Sequence, residues 1–367
     1  MSSTRRRLAA ATTGAVLLAA SGVTAYAASG HATSGNAASG NGAPAPGARS
    51  LAGLRVLISN DDSMQAAKKS NSDGMGLYEL RRAMCAAGAD VVVIAPWQVQ
   101  SGKGTAVTNG GVLTAQRRTA LPAGYENDCA GAPAQGAVFG VCLSEGPCGG
   151  DSPSATPADT VKLALRGGLK AKTGWDRAPD LVLSGINSGP NVSAQVNDSG
   201  TVGAAIAAID EGVPAIAFSS AGDETNTYFP QENYRAHAAF GARFVAGLRE
   251  RGLLTPEFAL KVDYPDISTG TPAGPPRWTS VGHGKVVWHA YEQVGADSFA
   301  IGLGFCGDRP GDPCSETVAD ADSAALFRDG RISVTPLTSD RTYGAKTPDP
   351  RTLRKIQRYV ENDAPRR

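Results

Sequence analysis

The chain has 367 residues, with 35 Lys and Arg against 34 Asp and Glu. This near balance leaves no basic surplus of the kind that binds a nucleic-acid polymer or an anionic membrane. With 45 glycines and 6% aromatic residues, the composition is typical of an α/β protein with glycine-rich turns. The length allows one large domain or two ordinary ones.

Residues 1–27 have the pattern of a secretory signal peptide. Three arginines at 5–7 precede an Ala/Leu/Val-rich run, and Ala25-Tyr26-Ala27 fits a small-x-small cleavage site. We therefore expect cleavage, secretion and no membrane association of the mature chain. The arginine run also resembles a twin-arginine export signal. The alternative, an uncleaved membrane anchor, is disfavoured because the apolar run is short and broken by Thr and Gly. Residues 28–50 are rich in Gly, Ser, Ala and Pro and predict a flexible linker.

Strand and helix patterns alternate along the body of the chain. Buried strands are predicted at LRVLIS (54–59), DVVVIAP (90–96), DLVLSG (180–185) and PAIAFS (214–219). Helices are predicted at GLYELRRAMCAAG (76–88), ATPADTVKLALRGGL (155–169), GTVGAAIAAIDEG (200–212) and ENYRAHAAFGARFVAGLRERG (232–252). Thr156 is the expected N-cap of the second helix, and Gly88 is the expected stop of the first. The alternation predicts an α/β fold with a doubly wound, mostly parallel sheet.

The pattern weakens after about residue 263. Short β-like runs remain at KVVWHAYEQ (285–293) and RISVTPLT (331–338). We expect strand extensions and hairpins on one domain, 51–345, and not a second core. A charged C-terminal tail, 346–367, follows this domain, and we expect a surface helix that ends in disorder over 349–367.

Six cysteines in an exported chain suggest disulfides. We expect Cys306 to pair with Cys314 across the loop CGDRPGDPC. Two of the three cysteines in a Gly/Pro-rich segment are also able to pair: Cys129, Cys142 and Cys148. Cys85 lies on a predicted helix face, where we expect a small buried hydrophobic side chain.

Two adjacent acids, Asp61 and Asp62, follow the first predicted strand in VLISNDDSM. At about 4 Å and an effective dielectric of about 20, two such charges repel by roughly 4 kcal/mol. Either one carboxyl takes up a proton or a cation lies between them. The alternative for an Asn-Asp run is ordinary turn or N-cap chemistry.

Two further segments fall at the same predicted sheet edge. Ligands of a doubly wound sheet bind beyond the carboxyl ends of its strands. QSGKGTAV (100–107) follows the second strand and SGINSGPNVS (184–193) follows the third. Two carboxylates with the oxygens of Ser101 and Asn187 suit a hard cation such as Mg²⁺ or Mn²⁺.

Anion sites are predicted beside these oxygens. The loop at Gly102 can turn backbone amides toward an anion, although it lacks the earlier glycine of GxxxxGK[ST] and is not a P-loop. In NDSGTVGAA, Ser199, Gly200 and Thr201 lie at a helix N-terminus, a ready anion site. The alternative is that Ser199 or Thr201 only caps the helix.

Six segments in order resemble the SurE family of metal-dependent nucleotidases. They span about 54–338: VLISNDDSM, VVVIAPWQVQSGKGTAVT, TPADTVKLAL, PDLVLSGINSGPNVS, DSGTVGAAIAAIDEGVPAIAFS and GRISVTPLT. The resemblance implies a Rossmann-like α/β fold and hydrolysis of nucleoside 5′- or 3′-monophosphates to nucleoside and phosphate. It also implies homodimers or homotetramers, often formed by exchange of C-terminal segments.

The resemblance also implies a set of site residues. A divalent metal, Mg²⁺ or Mn²⁺, would be held by Asp61, Asp62, Ser101 and Asn187. Catalytic roles would fall to Asp61, Asp62 and Asn191. The expected substrate and phosphate contacts are Asn60, Gly102, Asn191, Ser199, Gly200 and Thr201.

The chain departs from the family pattern in two places. Ser63 stands where the family usually has Gly, and a longer loop follows with Lys68 and Lys69, which either meet a phosphate or are simply solvated. A cysteine-containing insertion covers about 125–151. The alternatives to a nucleotidase are an exported metal- or nucleotide-binding protein without this catalysis, and a broad-specificity phosphatase that acts on non-nucleotide phosphates.

Overall fold

The computed structural model describes residues 50–66, 72–223, 227–305, 316–342 and 350–362, and these residues fall in one structural unit. The expected signal peptide and most of the linker lie outside the described residues. So do Lys68, Lys69 and the expected pair of Cys306 and Cys314. Within the described ranges, no helix is both long and apolar enough to cross a membrane.

Eleven strands and six α-helices make up the described fold. The strands are β1 (Arg55–Ser59), β2 (Asp90–Pro96), β3 (Leu113–Arg117), β4 (Val138–Leu143), β5 (Leu181–Ser188), β6 (Ala215–Ser220), β7 (Ala259–Tyr264), β8 (Gly274–Trp278), β9 (Val287–Gln293), β10 (Phe299–Phe305) and β11 (Arg331–Leu337). The helices are α1 (Met75–Ala86), α2 (Pro157–Leu163), α3 (Leu169–Thr173), α4 (Gly200–Asp210), α5 (Gln231–Glu250) and α6 (Pro350–Asn362).

Nine strands form one twisted sheet in the order β3-β4-β2-β1-β5-β6-β7-β11-β8. The six central strands, from β4 to β7, pair in parallel, whereas β3 and β11 run antiparallel to their neighbours β4 and β7. Strands β9 and β10 form a separate antiparallel hairpin. The predicted doubly wound, mostly parallel sheet with C-terminal hairpin extensions is confirmed.

Helices cover both faces of this sheet, because alternate side chains of each central strand point to opposite sides. In β1, Val56 and Ile58 pack in the core under α1 and α5, whereas Leu57 packs in the core under α2 and α4. All three side chains are fully buried. Such two-sided burial explains why the parallel strands are continuous apolar runs in the sequence.

The helix signals locate most helix ends. Thr156 caps α2 in a capping box, because its side chain accepts from the N–H of Asp159, whose carboxylate accepts from the N–H of Thr156. The predicted helix over 155–169 is not continuous, since Arg166 and Gly167 leave helical φ/ψ before α3 begins. Gly88 stops α1 with φ +94°, a conformation that favours glycine.

Four strands of the nine-stranded sheet were not predicted: β3, β4, β7 and β8. β4 lies inside the 125–151 insertion and pairs in parallel with β2, so this part of the insertion is a strand of the main sheet. β7 pairs in parallel with β6 and carries Lys261 and Asp263, both fully buried. Charged residues interrupt the apolar run that marks the other central strands.

Two disulfides link the described cysteines. Cys142 pairs with Cys148, within the set that the sequence indicated. The expectation of a buried, unpaired Cys85 is wrong, because Cys85 on α1 is bonded to Cys129, with 5.2 Å between the Cα atoms. The loop after β3 folds back over the end of α1, which a helix-face argument cannot foresee.

Candidate active site at the carboxyl edge of the sheet

Asp61 and Asp62 lie where β1 ends, in the middle of the sheet. β1 is followed by α1 on one face of the sheet, whereas the neighbouring β5 is followed by α4 on the other face. The two connections diverge at this edge, which is the topological switch point where ligands of such sheets bind. Asp61 is 3% exposed and Asp62 1% exposed. Two adjacent carboxylates are thus almost completely removed from bulk water.

The N-terminus of α4 holds Asp61. The hydroxyl of Thr201 donates to Asp61 Oδ1. Burial raises the pKa of Asp61, and the Thr201 hydroxyl together with the backbone N–H groups of Thr201 and Gly200 acts in the opposite direction. A Cβ on Gly200 would lie 2.8 Å from the Cβ of Asp61, so only glycine lets the helix approach this closely.

Asp62 has one satisfied and one open oxygen. Its Oδ2 accepts from the backbone N–H of Ser188 at 2.7 Å, whereas its buried Oδ1 has no hydrogen-bond partner. Burial, followed by repulsion from Asp61, raises the pKa of Asp62 well above its usual range. An open, buried carboxylate oxygen beside a second carboxylate is the environment that a cation would stabilise.

The donor set beside the two acids fits a hard divalent cation. Asn187 Nδ2 donates to the carbonyl of Gly189 at 2.7 Å, which leaves Asn187 Oδ1 as the free acceptor of that side chain. In the described part of the chain no three His, Cys, Asp or Glu side chains gather into a metal site. The ligands would therefore be two carboxylates complemented by amide and hydroxyl oxygens, a set that suits Mg²⁺ or Mn²⁺.

The loop that carries Ser101 is bonded to Asp61 and to the segment that leads into α4, and it packs against α4 itself. The N–H of Gln100 donates to the carbonyl of Asp61 at 2.7 Å, and the N–H of Gly104 donates to the carbonyl of Asp198 at 2.9 Å. A Cβ on Gly203 of α4 would lie 1.8 Å from the carbonyl oxygen of Gly104. This close backbone contact places the loop directly over the helix N-terminus.

A cavity of about 620 Å³ opens onto this edge. Six of the sequence-predicted site residues line it: Asp61, Ser101, Gly102, Asn187, Asn191 and Ser199. The other four lie behind this wall: Asn60, Asp62, Gly200 and Thr201. The structure thus brings the predicted set together in two layers, and contact of the inner layer with a phosphate stays a prediction.

Asn191 is anchored from below by a buried charge triad. Its N–H donates to Asp263 Oδ1 at 2.8 Å, and its Nδ2 donates to the hydroxyl of Ser219 at 2.8 Å. Asp263 Oδ2 contacts Lys261 Nζ, which also pairs with Asp322 at 3.0 Å. All three charged side chains are fully buried, and Asp322 in turn accepts from the N–H of Ser193.

Sequence reasoning missed these supporting residues. Asp322 is separated from Lys261 by 61 positions, and no local pattern connects the two. The sequence also did not indicate two further residues of the cavity wall, Gln195 and Trp288. The alternation Lys261-Val262-Asp263 is itself a strand signal, but it is typical of a half-exposed strand and not of a buried one.

Comparisons with known proteins agree with this fold and identify its family. The model of the family described as "Survival protein SurE" matches residues 56–287. A protein named 5′-nucleotidase SurE from Geobacter sulfurreducens is 32% identical over 292 residues, which cover 79% of this chain and 89% of the relative. One of the same name from Desulforamulus reducens is 32% identical over 294 residues, which cover 79% and 94%. The crystal structure of the SurE protein from Aquifex aeolicus matches with a TM-score of 0.55 and 25% identity, over 84% of this chain and all of that one. This chain belongs to the SurE family.

Proposed function

We propose that this chain is a metal-dependent phosphomonoesterase that hydrolyses nucleoside 5′- or 3′-monophosphates to nucleoside and phosphate. One observation carries the proposal. Asp61 and Asp62 are both buried, Asp61 in the wall of a cavity that amide and hydroxyl groups line and Asp62, with its open carboxylate oxygen, behind that wall. The SurE relatives are named 5′-nucleotidases, which supports hydrolysis of the 5′-monophosphates.

Each residue of the site has a role in this proposal. Asp61, Asp62, Ser101 and Asn187 would hold Mg²⁺ or Mn²⁺, which would supply positive charge to the phosphate oxygens. Asn191 has a second amide proton to donate to those oxygens, because Ser219 accepts only the first. Ser199 Oγ accepts from the N–H of Val202, so its hydroxyl proton is available to the phosphate. Phosphoryl transfer depends mainly on such positioning and charge stabilisation.

The experiment measures phosphate release by the purified chain. Adenosine 5′-monophosphate, a 3′-monophosphate and p-nitrophenyl phosphate are offered with Mg²⁺ or Mn²⁺ and with a chelator. We expect metal-dependent release that Asp61→Asn and Asp62→Asn abolish and that the exposed Asp329→Asn retains. Tight metal binding without turnover would show a metal-binding protein in place of an enzyme. Equal turnover of all three esters would show a broad-specificity phosphatase in place of a nucleotidase.

We further propose that the active form is a homodimer or homotetramer. Near the tip of the β9–β10 hairpin, three large apolar side chains are more than half exposed: Tyr291 (67%), Val294 (64%) and Phe299 (57%). An exposed apolar surface of this kind supports a protein interface. Sedimentation equilibrium tests it: Phe299→Asp together with Tyr291→Asp is expected to yield monomers.

We also propose that the chain is secreted by the Sec or the twin-arginine pathway after cleavage of its signal peptide. The disulfides Cys85–Cys129 and Cys142–Cys148 support it, because disulfides persist in oxidising compartments. N-terminal sequencing of chain recovered from culture medium tests it, with a start near residue 28 as the expected result.

A further inference from the structure

The cavity at Asp61 is larger than a phosphate needs, and part of its lining is apolar. Its volume of about 620 Å³ lies within the range of pockets that enclose whole small molecules, ~300–1,000 Å³. The apolar part is formed by one residue that precedes α5 and by four of the hairpin: Phe229, Val287, Trp288, Ile301 and Leu303. Polar and apolar lining residues in one cavity indicate a ligand that has a polar and an apolar part.

Trp288 is the most suitable platform in the apolar part of the lining. Its cross-strand partner is Gly304. A Cβ on Gly304 would lie 2.4–2.6 Å from the indole atoms Cε2, Cζ2 and Nε1, so the ring lies directly against the glycine backbone. Trp288 remains half-buried and lines the cavity. An indole that rests on backbone is a flat aromatic surface for a second ring, and base–aromatic stacking contributes about 1–3 kcal/mol per base.

Gln195 supplies an unsatisfied acceptor beside Ser199. Its Oε1 is buried and has no hydrogen-bond partner, although the residue lines the cavity. Gln195 lies on the 3₁₀ turn (Ser193–Asn197) just before α4, and its carbonyl accepts from the N–H of Ser199 at 3.0 Å. A buried acceptor without a donor destabilises the protein, and a ligand hydroxyl that donates to it would remove that cost.

We propose that Gln195 and Trp288 form the nucleoside subsite of this enzyme, in which a ribose hydroxyl donates to Gln195 Oε1 and the base stacks on Trp288. The inference rests on the proposed function, which puts the phosphate beside Ser199. Gln195 is bonded through its carbonyl to the N–H of Ser199 and so lies next to the phosphate, where the sugar follows, whereas Trp288 belongs to the apolar lining, which suits the base. Stacking accepts every base, so the subsite selects ribonucleosides and not one particular base.

The first test compares substrates that differ by one part. Ribose 5-phosphate lacks the base, and 2′,3′-dideoxyadenosine 5′-monophosphate lacks both ribose hydroxyls of the ring. In wild type, kcat/KM for adenosine 5′-monophosphate is expected to exceed that for ribose 5-phosphate by roughly tenfold or more. Trp288→Leu is expected to remove this preference, mainly through KM, and Trp288→Tyr to restore most of it.

Matched controls exist for both residues. Trp278 on β8 is 61% exposed and lies away from the cavity, so Trp278→Leu is expected to keep the wild-type preference. Gln195→Leu is expected to lose the preference for the ribo over the dideoxy nucleotide, whereas the exposed Gln293→Leu keeps it. Unchanged preferences in both Trp288→Leu and Gln195→Leu would overturn the proposal.

A binding measurement separates the subsite from the activity. Adenosine carries no phosphate and cannot be turned over, yet it is expected to quench tryptophan fluorescence in wild type and in Trp278→Leu, and not in Trp288→Leu. Quenching through Trp288 without any phosphate release would retain the nucleoside subsite and overturn the proposed function. Turnover of adenosine 5′-monophosphate without quenching and without a preference over ribose 5-phosphate would retain the function and overturn the subsite.

Discussion

The backbone N–H of Asn191 donates a 2.8 Å hydrogen bond to the carboxylate of Asp263, a side chain with no solvent exposure. Burial raises the pKa of Asp263, and the neighbouring ammonium of Lys261 counteracts that rise. The charge pair on β7 thus holds in place the loop that presents Asn191 to the cavity.

Asp263→Asn is therefore expected to lower catalysis without removing a group from the cavity. Asn191 and Lys261 contact different oxygens of Asp263, and an amide replaces one of these oxygens with an NH2 group that only donates, so one of the two contacts is lost. We expect kcat for adenosine 5′-monophosphate to fall roughly 10- to 100-fold, because small displacements of positioning groups are costly in the transition state. Steady-state kinetics measure this, with the exposed Asp329→Asn as control. Wild-type kcat in a folded Asp263→Asn variant would contradict the positioning role.

Thr201→Val is expected to shift the pH dependence of metal binding. The Thr201 hydroxyl lowers the pKa of Asp61, so its removal raises that pKa. Because a carboxylate must be deprotonated to bind a cation, the midpoint of Mn²⁺ binding is expected to move to higher pH. Electron paramagnetic resonance of free Mn²⁺ measures the midpoint. Thr160→Val is the control, since Thr160 is equally buried but bonds to Ser59. If the pH midpoint of Mn²⁺ binding were the same in Thr201→Val and in Thr160→Val, the hydrogen bond from Thr201 to Asp61 would have no effect on the metal site.

Sequence patterns predicted the central sheet well and its supporting network poorly. β1, β2, β5 and β6 are continuous apolar runs, because helices bury both of their faces. β7 was not predicted because Lys261 and Asp263 interrupt its apolar pattern. Their burial depends on the ion pair of Lys261 with Asp322, which is distant in sequence. Cys85 was misjudged for the same reason, since its partner arrives from another segment.

The site residues likewise divide into those that the sequence predicted and those that it did not. Asp61 and Asp62 were recognisable because their adjacency is costly wherever they fold. Ser101 and Asn187 followed from the rule that parallel strands end at one edge. Gln195 and Trp288 had no such signal, because the unsatisfied oxygen of Gln195 and the contact of Trp288 with Gly304 exist only after the chain has folded.

His237 is expected to make the fold sensitive to acid. It is fully buried, its Nδ1 bonds to Ser220, and burial lowers its pKa from 6.5 to about 3. Below about pH 6.5 the unfolded chain binds a proton that the folded chain does not. This contribution to stability is therefore complete above about pH 6.5 and declines as the pH falls toward 3.

His237→Phe tests this slope directly. Between about pH 6 and 4, the wild-type free energy of unfolding is expected to fall by about 1.4 kcal/mol per pH unit more than that of the variant. Urea unfolding in the presence of a chelator measures both, and the exposed His283→Phe serves as control. Parallel slopes in wild type and His237→Phe would show that His237 is not held neutral.

The two disulfides are expected to stabilise the fold unequally. Cys85 and Cys129 are 44 positions apart, whereas Cys142 and Cys148 are 6 apart. Loop-closure entropy predicts that the free energy of unfolding falls by about 4 kcal/mol in the double variant Cys85→Ser with Cys129→Ser. In the double variant Cys142→Ser with Cys148→Ser it is expected to fall by about 2 kcal/mol. Urea unfolding of the two double variants measures the difference. A larger loss from the short loop would point to strain or packing in place of chain entropy.

The central claim is that Asp61 and Asp62 share a divalent cation at the carboxyl edge of the sheet. The most direct measurement is an anomalous difference map from crystals of the chain grown with Mn²⁺. We predict one peak within about 2.0–2.4 Å of a carboxylate oxygen from each acid, with Asn187 Oδ1 as a further ligand. A map without a peak there, in which both acids keep only their contacts with Thr201 and Ser188, would contradict the account.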